Sequence, residues 1–161
     1  KLYKSYDLVL AYELAEGATA RSLQDVEVLV EIARFERMLR ELPGWKALCN
    51  QSEVIDRFFC ESGISYVNYA LPSLTMDQGK VVPSRLAFDA GGRDLVPLET
   101  SERLMQAGDV NDVIFPSGFN LGSENMLYVR SVFRFKLYCC TTFDSNAVKK
   151  KFLSETNEVV Q

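Results

Sequence analysis

Hydrophobic residues recur along the chain in blocks whose spacing predicts strands and helices in alternation. Residues 7–14 are rich in β-forming side chains and end at Glu16-Gly17, which predicts a buried strand. Residues 127–137 alternate apolar with polar or basic side chains. This alternation predicts a second strand, with one buried face and one solvated face. A last helix is predicted to begin at Asp144 or Ser145.

The clearest helical period extends from Ser22 to Leu42. Ser22 and Asp25 have the spacing of a capping box, and Pro43-Gly44 is a helix stop. The apolar residues fall on two faces: Leu23, Val26, Val30 and Ala33 on one, and Val28, Ile32, Phe35 and Leu39 on the other. Two apolar faces predict a helix that is covered on more than one side.

The remaining chain divides into short elements and one long insertion. Short helical turns are expected within 45–60, and a strand or extended segment at 64–70. Residues 72–126 are rich in Gly, Pro, Asp and Ser, so they predict a loop-rich insertion with one short helix at 99–107.

The order of these elements is strand, helix, strand, insertion, strand, helix. It predicts an α+β fold of the ferredoxin-like split βαβ type that lacks its last strand. A length of 161 residues suits a single domain over 1–161.

Composition removes several classes of function. The chain has no histidine, which excludes Ser-His-Asp or Cys-His catalysis and histidine-bound zinc. The net charge is -4 and no basic stripe stands out, so nucleic acid is not an expected partner. No nucleophile motif is present, and we predict a non-enzyme with no catalytic residue and no cofactor. A hydrolase or isomerase that works through carboxylates ranks third among the possible functions.

Acidic residues crowd the insertion without forming a known metal motif. They are Asp89, Asp94, Glu99, Glu102, Asp109 and Asp112. Oxygen ligands of this kind suit Ca²⁺, but the EF-hand spacing is missing. A solvated acidic loop is the favoured interpretation, and no metal site is predicted.

The most informative motif joins a glycosylation sequon to a pair of cysteines. Asn50-Gln51-Ser52 is an N-glycosylation acceptor in a secreted chain, with Cys49 directly before it and Cys60 downstream. Four cysteines allow three full pairings. Cys139 and Cys140 are adjacent, and a bond between neighbours would be strained, so their pairing is left open. In an oxidising compartment we predict a Cys49–Cys60 disulfide and a glycan on Asn50.

The ends of the chain and its hydropathy suggest a piece of a larger protein. The sequence has no apolar run of about 18 residues, the length that a membrane-spanning helix needs, and its first residues do not resemble a signal peptide. Lys1 is not an initiator residue. The expectation is a segment whose targeting signal and membrane spans lie outside it.

Two stretches carry a resemblance to a known family. They are Ser65-Tyr66-Val67-Asn68-Tyr69-Ala70-Leu71-Pro72-Ser73 and Arg130-Ser131-Val132-Phe133-Arg134-Phe135. With the segments around them, they resemble the extracytoplasmic domain of Dispatched-like members of the resistance–nodulation–division superfamily, relatives of Patched. The chain departs from the family at 136–140, where a glycine and proline turn is common.

This resemblance implies a ferredoxin-like porter subdomain between two spans of a multispanning transporter-like protein. Its partners would be the remainder of that protein and a sterol, a lipid or a lipidated protein. It would form a conduit wall or docking surface on the extracellular or luminal face of the plasma membrane or of a secretory-pathway organelle. The alternative is a free-standing secreted or luminal ligand-binding module, with its ligand surface on 72–126.

Overall fold

The protein has an α+β fold, as the order of predicted elements indicated. The computed structural model describes residues 3–77, 80–117, 119, 126–138, 150 and 153–154. Its elements are β1 Tyr3–Glu13, α1 Val26–Glu41, α2 Pro43–Gln51, a 3₁₀ turn Val54–Asp56, α3 Phe58–Glu61, α4 Tyr66–Ala70, β2 Ser73–Asp77, β3 Lys80–Ala87, α5 Leu98–Ala107, α6 Asn111–Ile114 and β4 Tyr128–Tyr138. The helix predicted from Asp144 or Ser145 begins outside the described residues.

In the described part of the chain, the strands form two sheets of two strands each, β1 with β4 and β2 with β3. The β1–β4 pair is antiparallel, because Asp7 of β1 contacts Arg134 of β4, whereas Glu13, six residues later in β1, contacts the earlier residue Tyr128. The ferredoxin-like arrangement of these strands stays a prediction.

The predicted alternation of β4 is confirmed. Its buried side chains are Val129, Ser131, Phe133, Phe135 and Leu137. The strand predicted at 7–14 is confirmed by β1, but its prediction as a buried strand was wrong, since its side chains mostly alternate between half-buried and exposed. Val9 is one of the exposed side chains, so one face of β1 meets solvent.

The capping pair predicted from the sequence is present, but it closes a turn that precedes α1, which begins at Val26. The Ser22 hydroxyl accepts a hydrogen bond from the Gln24 amide at 3.1 Å, and the Asp25 carboxylate accepts one from the Ser22 amide at 3.4 Å. The prediction of two covered faces was wrong, since Val26 and Val30 are 58% and 45% exposed. The covered face is one stripe: Leu29, Ile32, Ala33, Glu36 and Leu39.

Proline chemistry explains how α1 passes into α2. Pro43 follows the end of α1 and is the first residue of α2, where the absence of an amide hydrogen costs nothing. The stop predicted at Pro43-Gly44 is therefore both an end and a beginning. The short helical turns predicted within 45–60 are confirmed by α2, the 3₁₀ turn and α3.

The segment 64–70 is helical, and the prediction of a strand was wrong for most of it. Ile64 alone forms a β-bridge, exchanging two backbone hydrogen bonds of 2.9 Å with Val132. The next residues form α4, whose Val67 and Ala70 are both fully buried. Their i,i+3 spacing places both side chains on one helical face.

The region 72–126 contains more regular structure than its composition indicated. The predicted helix at 99–107 is present as α5, but β2, β3 and α6 were missed. The register of the β2–β3 hairpin shifts between Leu74 and Met76. Pro83 lies in β3 opposite this shift in register. Proline has no amide hydrogen to donate between strands, so its presence in the sequence argued against a strand here.

The chain divides into two compact units. The first, called here the stapled unit, comprises Lys1–Leu8, Arg34–Gly63 and Phe133–Gln161; the second, the unstapled unit, comprises Val9–Ala33 and Ile64–Val132. The single domain predicted over 1–161 stays a prediction. Each unit has its own buried side chains.

Candidate functional site

A disulfide joins two helices of the stapled unit. Cys49 of α2 is bonded to Cys60 of α3, with 5.6 Å between their Cα atoms. The pairing predicted from the sequence is therefore present. Cys60 is completely buried and Cys49 is nearly so. The bond closes a short loop that contains the 3₁₀ turn. Disulfides form and persist in oxidising compartments.

Trp45 is packed directly against this disulfide loop. Its indole N–H donates a hydrogen bond of 2.8 Å to the Cys60 carbonyl. Its ring lies edge-on to Phe133 and Phe135 of β4, with centroid separations of 4.8 and 5.2 Å. The tryptophan therefore links the disulfide loop to the strand through one hydrogen bond and two aromatic contacts.

The sequon lies at the end of α2, and its two functional residues differ in exposure. Asn50 is exposed, and within the described chain its side-chain amide makes no hydrogen bond. Ser52 is buried, and its hydroxyl accepts a hydrogen bond of 3.0 Å from the Lys136 amide of β4. The sequon spacing gave no signal of this second, structural role of Ser52.

Lys136 fastens the same loop a second time. Its ammonium group lies 2.9 Å from the Asp56 carboxylate, and this hydrogen bond raises the pKa of Lys136. Next to Asp56, Val54 and Ile55 are 79% and 83% exposed. The loop thus presents two aliphatic side chains to solvent although its backbone is fixed.

A groove of about 390 Å³ lies beside Asn50 and Cys49. It is lined by Arg37, Arg40, Glu41, Trp45, Lys46, Cys49, Asn50 and Glu61. Lys46 forms an ion pair with Glu41 and lowers the pKa of that carboxyl, while Arg40 donates to the Glu61 carbonyl at 3.2 Å. This groove was not predicted from the sequence. The available signal was the pair of arginines at i,i+3 on α1.

An apolar cavity of about 140 Å³ is a second concave feature of the stapled unit. It is lined by Tyr6, Asp7, Leu8, Leu48, Phe135, Leu137 and Leu153. The Asp7 carboxylate accepts two hydrogen bonds from the Arg134 guanidinium, at 2.7 and 2.9 Å, which lower the pKa of Asp7. The volume of this apolar cavity is close to that of a cavity of about 150 Å³ that binds benzene in another protein.

The acidic residues of the insertion do not converge on a metal site. Within the described residues, no three Asp, Glu, Cys or His side chains are placed to hold an ion. The Asp89 carboxylate accepts hydrogen bonds of 2.8 Å from the Ser73 hydroxyl and the Gly91 amide, and Glu99 is paired with Arg103. These acids therefore fix turns and helix faces.

Gly92 is required where the acidic turn approaches the backbone. Its amide donates to the Leu71 carbonyl at 2.9 Å, and a Cβ at this position would overlap the Pro72 carbonyl. Gly92 thus serves a close backbone approach.

The remaining features concern membrane spans and the other two cysteines. Among the described residues, no helix has the length and apolar character to cross a membrane. Cys139 and Cys140, whose pairing the sequence left open, lie outside the described residues. Comparisons of the chain with protein-family models, with curated proteins and with solved structures found no match.

Proposed function

We propose that this chain is a non-enzymatic extracytoplasmic domain of a multispanning, transporter-like membrane protein of the resistance–nodulation–division superfamily, related to Dispatched and Patched. It lies on the extracellular or luminal face of the plasma membrane or of a secretory-pathway organelle. The observation that carries the proposal is an exposed Asn50 directly beside the Cys49–Cys60 disulfide.

The compartment follows from the chemistry of that pair of features. A disulfide persists where thiols are oxidised, which is the case in the secretory pathway and outside the cell. An exposed asparagine in a sequon is useful as a glycan acceptor in the same compartments. One feature alone fits several settings, whereas both together on the same helix end favour an outward-facing domain.

The proposed role is that of a conduit wall or docking surface for a sterol, a lipid or a lipidated protein. The apolar cavity beside Leu48 and Phe135 supports contact with a hydrocarbon group. The finer fold proposal is a ferredoxin-like porter subdomain. The direct succession of β1 and α1 supports the first half of its split βαβ unit.

The test is expression of the full natural protein in eukaryotic cells, followed by peptide mapping and membrane extraction. We expect a glycan on Asn50, loss of that glycan in Asn50→Gln, and retention of the protein in membranes after alkaline extraction. The matched control is Ser52→Thr, which keeps the sequon and a hydroxyl at the buried position.

Two results would contradict the proposal in different ways. A bare Asn50 together with reduced Cys49 and Cys60 would remove the outward-facing assignment. A glycosylated protein released into the medium would instead favour the free-standing ligand-binding module.

A further inference from the structure

The acceptor residue of the sequon, Asn50, is one of the residues that line the groove. We propose that the first N-acetylglucosamine residues of the Asn50 glycan lie in this groove and shield the Cys49 sulfur from reductants. This inference rests on the proposed function, because it requires that Asn50 be glycosylated. It adds a ligand, a binding surface and a consequence for the disulfide.

The lining of the groove suits a sugar. Arg37, Arg40 and Lys46 bring hydrogen-bond donors, while the carboxylates of Glu41 and Glu61 are acceptors. Sugar hydroxyls and the N-acetyl group both donate and accept, so they can pair with either set. The volume of about 390 Å³ lies within the range of roughly 300–1,000 Å³ in which proteins hold small ligands.

The position of Asn50 removes much of the entropic cost of binding. Asn50 is one of the groove-lining residues, so an attached sugar begins next to the site. Tethering of this kind converts binding into an intramolecular event with a high effective concentration. The free side-chain amide of Asn50 within the described chain means that no protein hydrogen bond must break first.

Cys60 is completely buried, and Cys49, which is 5% exposed, is among the groove-lining residues. In this proposal the groove is therefore the side from which a reductant approaches the disulfide. A dithiol thiolate attacks the Cys49 sulfur, forming a mixed disulfide and releasing Cys60 as a thiolate that takes up a proton. The second thiol of the reagent then displaces Cys49, leaving two protein thiols and a cyclic oxidised reagent. A sugar in the groove blocks the first attack.

The experiment compares three forms of the full natural protein made in a eukaryotic secretory host. They carry the intact glycan, a single N-acetylglucosamine left by an endoglycosidase, or no glycan in Asn50→Gln. Reduction by dithiothreitol is followed by alkylation and by mass spectrometry of the peptides that contain Cys49 and Cys60. Both glycosylated forms should reduce several-fold more slowly than Asn50→Gln.

Two variants, each replacing one exposed cationic residue by alanine, separate docking of the sugar from a general destabilisation of the fold. Lys46→Ala removes a groove donor, and we expect it to speed reduction more in the glycosylated protein than in the Asn50→Gln background. Arg103→Ala removes an exposed cation that is paired with Glu99 in the unstapled unit, so it should change neither rate.

The outcomes distinguish this inference from the proposed function. A glycosylated Asn50 with equal reduction rates in all three forms overturns the inference and leaves the proposed function intact. Equal acceleration by Lys46→Ala in both backgrounds also overturns it. A bare Asn50 in the natural protein overturns both.

Discussion

The stapled unit and the unstapled unit keep their interiors together by different means. The unstapled unit buries a cluster of 14 apolar residues drawn from several elements, among them Leu29, Val67, Met105 and Ile114. The stapled unit, the smaller of the two, buries Trp45 against Phe133 and Phe135 and closes this arrangement with a disulfide.

This difference follows from size and composition. A small unit buries a smaller share of its surface, so its apolar core alone supplies little free energy of folding. A covalent cross-link compensates by reducing the entropy of the unfolded chain. The disulfide is thus found where the described core is small, and the larger apolar cluster has none among its described residues.

The largest expected effect comes from the aromatic centre of the stapled unit. Trp45→Ala should lower the free energy of unfolding by about 4 kcal/mol, because it removes a buried ring and leaves a cavity. Trp45→Phe should cost less, since it keeps an aromatic ring but leaves the Cys60 carbonyl without its 2.8 Å donor. Urea unfolding followed by circular dichroism measures both.

The matched variant in the unstapled unit is Phe115→Ala, which removes a buried ring that contacts Tyr66 and Phe119. If the units differ as described, two losses in the free energy of unfolding should not be additive: the loss from Trp45→Ala and the loss from reducing the disulfide. The reason is that the ring and the loop touch. The loss in Phe115→Ala should be simply additive. Equal behaviour of the two variants would contradict the comparison.

The next largest effect comes from the disulfide. Replacing Cys49 and Cys60 together by Ala should cost about 3 kcal/mol, the loop-closure value for a separation of 11 residues. Hydrogen exchange should show the loss in α2 and α3 and spare α4 and α5. Trp45 is the only tryptophan, so its fluorescence reports the same change. Uniform loss of protection in both units would show that the bond is not a local device.

Much of this architecture could be predicted from local patterns in the sequence. The capping box at Ser22 and Asp25, the alternation of β4 and the spacing of Cys49 and Cys60 each follow from interactions between near neighbours in sequence. Such signals are readable because the atoms involved are brought together by a few residues of regular backbone.

The parts that escaped prediction depend on contacts between distant segments. The segment 64–70 has a pattern that suits either a strand or a helix, and the covering of Val67 and Ala70 by the core decides for the helix. The groove needs α1, α2 and α3 to meet. The structural role of Ser52 needs Lys136 from β4, so no local pattern could have indicated it.

A pH-dependent effect of intermediate size belongs to the unstapled unit. Burial raises the pKa of Tyr66 to about 12. The unfolded chain has a tyrosine pKa of about 10, so this contribution is complete below about pH 10 and is lost as pH rises toward 12. The difference corresponds to roughly 2–3 kcal/mol.

The measurement is the free energy of unfolding from pH 9 to 12 for the natural chain and for Tyr66→Phe. With rising pH, the free energy of unfolding should fall more steeply in the natural chain than in Tyr66→Phe, because that variant has no phenol to ionise at this position. Tyr128 is exposed, and its hydrogen bond to Glu13 raises its pKa without burial of the ring, so Tyr128→Phe should change the slope less than Tyr66→Phe. Equal slopes for the natural chain and Tyr66→Phe would show that Tyr66 is not sealed in the core.

The smallest expected effect lies at the acid end and in the stapled unit. The Arg134 guanidinium, hydrogen-bonded to Asp7, holds the pKa of that carboxyl below its ordinary value. The ion pair therefore contributes stability above about pH 4 and loses it as pH falls through the lowered pKa of the folded state. Both side chains are more than a third exposed, so the contribution is below about 1 kcal/mol after solvent screening.

Asp7→Asn should abolish this loss of stability at acid pH, and added salt should weaken it in the natural chain. The Glu99–Arg103 pair of the unstapled unit is more exposed, so Glu99→Gln should lower the free energy of unfolding at neutral pH less than Asp7→Asn does. A larger change from Glu99→Gln than from Asp7→Asn would mean that the two-hydrogen-bond geometry at Arg134 adds nothing to a surface ion pair.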